Sequence, residues 1–194
     1  MSYDALAASV ALLEGAPLPA GTRLSRRVRQ LPLAVDRDGD VAATMFLRRG
    51  VCGVPLLEVH TLESIGGEWR ELGGGGGPGD DMTGARPRLA DLGAPAVSHG
   101  GGGTARASRR RPWSSDGWIS YAELRVAQEV SVLRVGTRLV PVAGHGCAVV
   151  VWTRRPPSVV ALVADGDVVG PVAIEGTRAP RVVHPDGGRG RPGR

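Results

Sequence analysis

"RLVPVAGHGCAVVVWTRRPPSVVALVADGDVVGPVAI", Arg138 to Ile174, decides the fold class. It holds four short apolar runs, "RLVPVAG", "CAVVVW", "SVVALVA" and "DVVGPVAI", all rich in β-branched valine. Gly144-His145-Gly146, Arg155-Pro156-Pro157 and Asp165-Gly166 separate them. Glycine, proline and Asp-Gly are turn chemistry, so each run reads as one strand. Short β-branched strands at this spacing predict an antiparallel β-sandwich or partly open barrel.

Working toward the N-terminus, "WISYAELRVA" from Trp118 extends the series. Ile119, Ala122, Val126, Val130 and Leu133 also fit a helical stripe, but the Val, Ile and Tyr content and the β-series that follows favour strands. From Arg23 the first half reads the same way. Leu33 to Val35 runs into "DRDGD" (Asp36 to Asp40) and "VAATMFL" follows, a hairpin signal because glycine accepts the positive φ of tight turns. "VPLLEVHTL" (Val54 to Leu62) is another strand with Pro55 near its start, Gly66-Gly67 is a turn, and "EWREL" (Glu68 to Leu72) a short strand. The tetrapeptide DGDV occurs at Asp38 to Val41 and again at Asp165 to Val168, which fits equivalent hairpins in two sheets and equally fits coincidence in so narrow a composition.

Leu6, Val10 and Leu13 share a helical face, so a short helix is expected from about Tyr3 to Glu14, with Ser2 as its cap. Residues 73–116 carry two glycine runs, "GGGGGPGDD" and "SHGGGGTARASRRRP", and little periodicity, apart from a brief helical turn at Leu89 to Leu92. The expectation there is a long flexible glycine/arginine-rich insert. The domain plan is therefore 1–20 helix and linker, 21–72 first β-half, 73–116 flexible insert, 117–176 second β-half and 177–194 disordered basic tail. A sheet needs a second layer over its apolar face, so the two halves are expected to form one domain, with two tethered domains as the alternative.

Composition narrows the chemistry. The chain has 194 residues, 42% of them hydrophobic, and only 4% aromatic, so Val, Leu and Ala must fill the core. Lys and Asn are absent and Phe46 is the single Phe, a pattern of GC-rich codons. All 24 basic residues are thus Arg, and the net charge of +5 is modest. Without Lys there is no Walker or Schiff-base lysine. Two cysteines cannot make a disulfide-rich scaffold, and the N-terminal apolar stretch lacks a basic flank. We expect a cytoplasmic protein with reduced thiols and no membrane partner.

Gly74 to Gly79 matches G-x-G-x-x-G, but "DDMTGARP" is a poor helix start and carboxylates repel phosphate, so no dinucleotide and no other cofactor is expected. Arg106, Arg109, Arg110 and Arg111 beside Trp113 are the sharpest basic patch, able in principle to hold phosphates and stack a base. No recognition helix or RNP-type strand accompanies them, and a solubilising segment explains them as well. His145 and Cys147, with Cys52 and His60, offer thiols and imidazoles, yet only the first two are close in sequence, so a metal site is not expected. Cys147 reads instead as a small hydrophobe at the start of a buried strand. A Cys52–Cys147 disulfide would need the halves to pack together in an exported protein. The aspartates of both DGD segments read as turn residues rather than a calcium loop, which would need a closing Glu. Trp69, Trp113, Trp118 and Trp152 read as large core fillers or edge covers before a sugar-binding platform.

"VPVAGHGCAVVVW…SVVALVADGDVVG", Val140 to Gly170, resembles C-terminal β-segments of uncharacterised β-domain proteins of high-GC actinobacteria, and "FLRRGVCGVPLLEVHTLESIGGEWRELGGGGG" is similar to them too. The resemblance implies a β fold and carries no activity. No catalytic constellation emerges, so the expected function is a non-catalytic binding module for a protein or small-ligand partner. The alternatives are an enzyme using His145 and Cys147, and nucleic-acid binding through Arg106 to Arg111.

Overall fold

The structure, a computed structural model, describes residues 4–108 and 117–174. Asp4, rather than the expected Ser2 outside that range, caps the first helix, α1 (Ala5–Leu13): its Oδ1 accepts the Ala7 N–H at 3.0 Å, satisfying one of the orphan donors of the first turn. The strands are β1 (Gln30–Asp38), β2 (Val41–Arg49), β3 (Pro55–Ile65), β4 (Glu68–Pro78), β5 (Ala96–Ala105), β6 (Trp118–Val126), β7 (Val132–Val135), β8 (Arg138–Pro141), β9 (Cys147–Trp152), β10 (Val159–Leu162) and β11 (Val168–Val172). Two single-turn helices, α2 (Asp80–Thr83) and α3 (Leu89–Leu92), sit between β4 and β5.

Among the described residues these strands form three antiparallel sheets, where a two-layer arrangement was expected. Their orders are β1-β2-β3-β4, β5-β6-β9 and β11-β10-β7-β8. Side chains alternate across a strand, and β9 shows what the alternation does here. Cys147, Val149 and Val151 join Leu33, Met45, Leu47, Leu57 and Val59 of the first sheet in one core. Ala148, Val150 and Trp152 join Leu133, Val135, Val159 and Ala161 of the third sheet in another. The sheet β5-β6-β9 is therefore the middle of three layers. That is why "CAVVVW" is continuously apolar: all six residues are buried. Each fully buried valine contributes up to about 1.5–3 kcal/mol. On the far face of the first sheet α1 covers β2, where Ser9 and Thr44 share a buried hydroxyl–hydroxyl bond of 2.7 Å.

Charged side chains tie the layers at their edges. Asp36 on β1 accepts from Arg138 Nε at 2.9 Å and Nη2 at 2.8 Å, and from the Val151 N–H at 2.8 Å. One buried carboxylate thus joins the edge strands of all three sheets. Its fork-to-fork geometry is the strong form of an Arg–carboxylate pair. Burial alone would pull protons off Arg138, but the bonds and charge of Asp36, with Asp38, outweigh it and raise its pKa. Glu63, fully buried on β3, likewise accepts Arg106 Nε at 2.6 Å, the Ala107 and Ser108 N–H groups at 2.9 and 3.1 Å, and the Ser108 hydroxyl. Burial raises its pKa, but these donors dominate and hold the carboxyl below its usual range.

The segment 73–116 differs most from expectation. Its described part is built into the fold rather than looped out. Gly73 to Pro78 continue β4 along β3, and Gly100 to Gly103 continue β5 along β6. Glycine disfavours strands by its entropy, and two neighbours supply the compensation: each run pairs with a long apolar strand already held in a core. The stretch between the runs is pinned by two arginines, Arg125 buried and Arg86 half-buried. Arg125 donates to the Gly84 and Ala85 carbonyls, both at 2.9 Å, while Arg86 donates to those of Val126, Ala127 and Val130. Both DGDV segments are turns, as expected, although they differ. Gly39 and Asp40 alone join β1 to β2, whereas residues 163–167 join β10 to β11.

Candidate functional site

β4 ends one sheet and β5 ends the next, and their glycine runs face each other across a cleft of about 400 Å³. Both runs start at a β-bulge. Thr61 pairs with Gly73 and Leu62 with Glu71, so Leu72 is the extra residue of β4. Ser98 pairs with Leu124 and Gly100 with Glu123, so His99 is the extra residue of β5. A bulge bends its strand and re-aims a side chain. Here it puts His99 among the residues that line the cleft, with Tyr121 and Glu123 of β6 beneath.

Side-chain alternation places Ile119, Tyr121, Glu123 and Arg125 on one face of β6. Ile119 and Tyr121 enter the core against the first sheet, while Glu123 lies under the glycines. The walls are bare because Tyr121 and Glu123 fill the room that wall side chains would take. A methyl group on Gly75 would overlap the Tyr121 hydroxyl oxygen. One on Gly102 would lie 2.6 Å from that oxygen and 2.8 Å from ring carbon Cζ, and one on Gly100 would lie 2.8 Å from Glu123 Oε2. Ordinary contact needs at least 3.4 Å. The cleft therefore has walls of peptide groups and a floor with one phenol and one carboxyl. Burial, helped by the negative charge of Glu123, pushes the Tyr121 pKa up to about 12. Burial also raises the Glu123 pKa, and the charge of His99 offsets part of that.

The residues singled out from sequence lie elsewhere. Arg106 is engaged inside the protein by Glu63 and Asp40. Arg109, Arg110, Arg111 and Trp113 fall outside the described residues. His145 and Cys147 are adjacent and buried, but the imidazole Nδ1 accepts the Cys147 backbone N–H at 3.1 Å and does not meet the thiol. The thiol instead lies 3.5 Å from Met82 Sδ and 3.5 Å from Arg125 Nη1. Burial raises the Cys147 pKa against the pull of the Arg125 charge, so it stays a thiol. Burial, with the charges of Arg125 and Arg86, lowers His145 to about 4, so it stays neutral. A protonated thiol beside a neutral ring that faces the backbone is the reverse of an activated nucleophile.

Cys52 is exposed, Cys147 buried, and both are free thiols. His60 bonds Glu71 Oε1 at 2.8 Å on the outer face of the first sheet. No three of His, Cys, Asp or Glu gather as metal ligands among the described residues. Trp69 lies under Arg37 at 5.1 Å, Trp152 is buried in the second core, and Trp118 starts β6. The fingerprint glycines 74–79 run along a strand and not into a phosphate loop. No described helix is long and apolar enough to cross a membrane.

Sequence reasoning passed over Tyr121, Glu123 and His99. A signal exists in "WISYAELRV": its even positions are apolar at Ala122, Leu124 and Val126, while its odd ones change from Ile119 and Tyr121 to Glu123 and Arg125. A strand whose core face turns charged halfway marks a place where that core opens. No family model, curated protein or solved structure matches this chain.

Proposed function

We propose that this chain is a non-catalytic binding protein and that its site is the cleft between β4 and β5. In this reading the first two sheets make a partly open barrel. β1 lies beside β9 at one seam, closed by Asp36, and β4 beside β5 at the other, where the cleft opens. The observation that carries the reading is the paired glycine runs, which hold a hollow of small-ligand size over two buried ionisable groups. Bare strand edges offer peptide N–H and C=O groups to a guest, and few convergent polar groups orient it. Nothing at the cleft resembles a nucleophile with a general base. The test is a mixed small-fragment library followed by amide spectra of the full chain. Shifts concentrated in Gly74 to Gly77 and Gly100 to Gly103 are expected. Fragments that bind only elsewhere, or not at all, would remove the assignment.

A further inference from the structure

The charge of the cleft says what kind of guest it takes. The chain has 24 arginines, yet none of the described residues lining the cleft is one. Glu123 is the single carboxylate among them, and His99 the single imidazole. Glu123 is 7% exposed and Tyr121 3%, so both are largely out of water. An anion would enter beside a desolvated carboxylate with no guanidinium to receive it, a like-charge arrangement costing several-fold in affinity at any plausible dielectric. A metal ion would find one carboxylate where hard cations take several oxygen ligands. A compact organic cation meets the groups it needs: a carboxylate for its charge, peptide carbonyls for its remaining N–H donors, and an aromatic ring for its carbon frame.

We propose that the cleft binds a small organic cation, an alkylamine or alkylguanidine whose charged head pairs with Glu123 and whose carbon chain lies against Tyr121. The proposal rests on the reading of the cleft as a ligand site. Tyr121 and Glu123 stand two residues apart on one face of β6, so a guest along the strand reaches both. Tyr121 and Glu123 press against Gly75, Gly100 and Gly102 so closely that these positions stay bare, and a guest beside the two side chains meets peptide groups rather than competing side chains.

Burial raises the Glu123 pKa. A bound cation favours the ionised form, so affinity rises as pH climbs through the pKa of the empty site, and binding below it releases a proton. The titratable groups facing Glu123 are His99 from β5 and Tyr121 on β6 itself. β4 presents only glycines and Pro78, and the cross-strand partner on β9 is Val149.

Four probes of one carbon frame test this: butylguanidinium, butylammonium, butanol and butyrate, titrated into the full chain with amide shifts as readout. The two cations are expected to move the glycine amides of the cleft, at least tenfold more tightly than butanol or butyrate. Glu123→Gln should weaken the cations at least tenfold and leave butanol unchanged. The same series in His99→Gln isolates the Glu123 titration. Should Glu123→Gln not fold, the wild-type profile decides, because cation affinity must rise with pH and a flat profile overturns the pairing. Butanol or butyrate binding the cleft as tightly as the cations overturns the cation class and leaves the ligand cleft standing. No glycine shift with any of the four also overturns it, and the cleft itself falls only if the fragment library leaves those amides unmoved as well.

Discussion

Gly75→Ala should destabilise the wild-type protein and stabilise the Tyr121→Phe variant. The new methyl group overlaps the Tyr121 hydroxyl oxygen, while the next atom, ring carbon Cζ, is 3.6 Å away at ordinary contact. Tyr121 is buried in the core, so the ring has no room to swing aside. Forcing an extra carbon into such a site costs about 1–3 kcal/mol. Replacing glycine by alanine also stiffens the unfolded chain, a gain of about 0.4–1 kcal/mol where the backbone tolerates it. Gly75 lacks the positive φ that would forbid alanine. The clash is the larger effect, so a net loss of roughly 1–2 kcal/mol is expected in wild type. With the hydroxyl gone only the stiffening remains and the sign reverses. Gly102→Ala is the control. Its methyl would still meet Cζ at 2.8 Å and Cε1 at 3.0 Å, so Tyr121→Phe cannot relieve it. Urea unfolding of the four proteins in each cycle gives the midpoints, read at constant m-value. Gly75→Ala effects that agree within about 0.5 kcal/mol in the two backgrounds would refute the packing argument.

Other perturbations probe the charged seams and the buried imidazole. Asp36→Asn leaves Arg138 without its carboxylate between three sheets and should cost about 3–5 kcal/mol, visible as a single lowered melting transition. Glu63→Gln should cost about as much, and it should flatten the acid limb of the stability curve: the lowered Glu63 pKa gives stability that is present above the unfolded value and lost as pH falls through the folded one. His145, at about 4 against 6.5 unfolded, works in the same direction, since the unfolded chain takes up the proton first. Stability should fall by up to about 3 kcal/mol from pH 6.5 to 4, an effect that His145→Gln removes in urea titrations. A disulfide-exchange reagent should label Cys52 alone in the native protein and both thiols in denaturant.

Most strands from Trp118 onward were legible because valine-rich runs and Asp-Gly turns carry their own local signal, whereas β7 (Val132–Val135) was not, since Val130 and Leu133 also continue a helical stripe. "CAVVVW" also held a clue to its two-sided burial, since it lacks the polar alternation of a half-exposed strand. The glycine runs were not legible. A glycine has no side chain to set a period, and its strand conformation here comes from β3 and β6, partners fixed by tertiary packing. For the same reason the cleft was hidden: its walls are defined by the side chains they lack. The pinning of residues 84–87 was hidden as well. Arg86 and Arg125 look like two of 24 solvated arginines until the carbonyls they bond are known.

The three-layer order has a cost during synthesis. The first sheet is complete at Pro78, but β9, which carries Cys147, Val149 and Val151 onto it, ends only at Trp152. At roughly 5–20 residues per second, a ribosome leaves the apolar face of Leu33, Met45, Leu47, Leu57 and Val59 incompletely covered for several seconds. Through that interval the nascent sheet has two open borders, β1, which waits for β9, and β4, whose second half is glycine closed by Pro78. The glycine stretch offers neighbouring chains no side chains to interlock with. The same residues that wall the mature cleft thus blunt one of the two edges of the half-made protein, and β1 is the edge left open to its own copies.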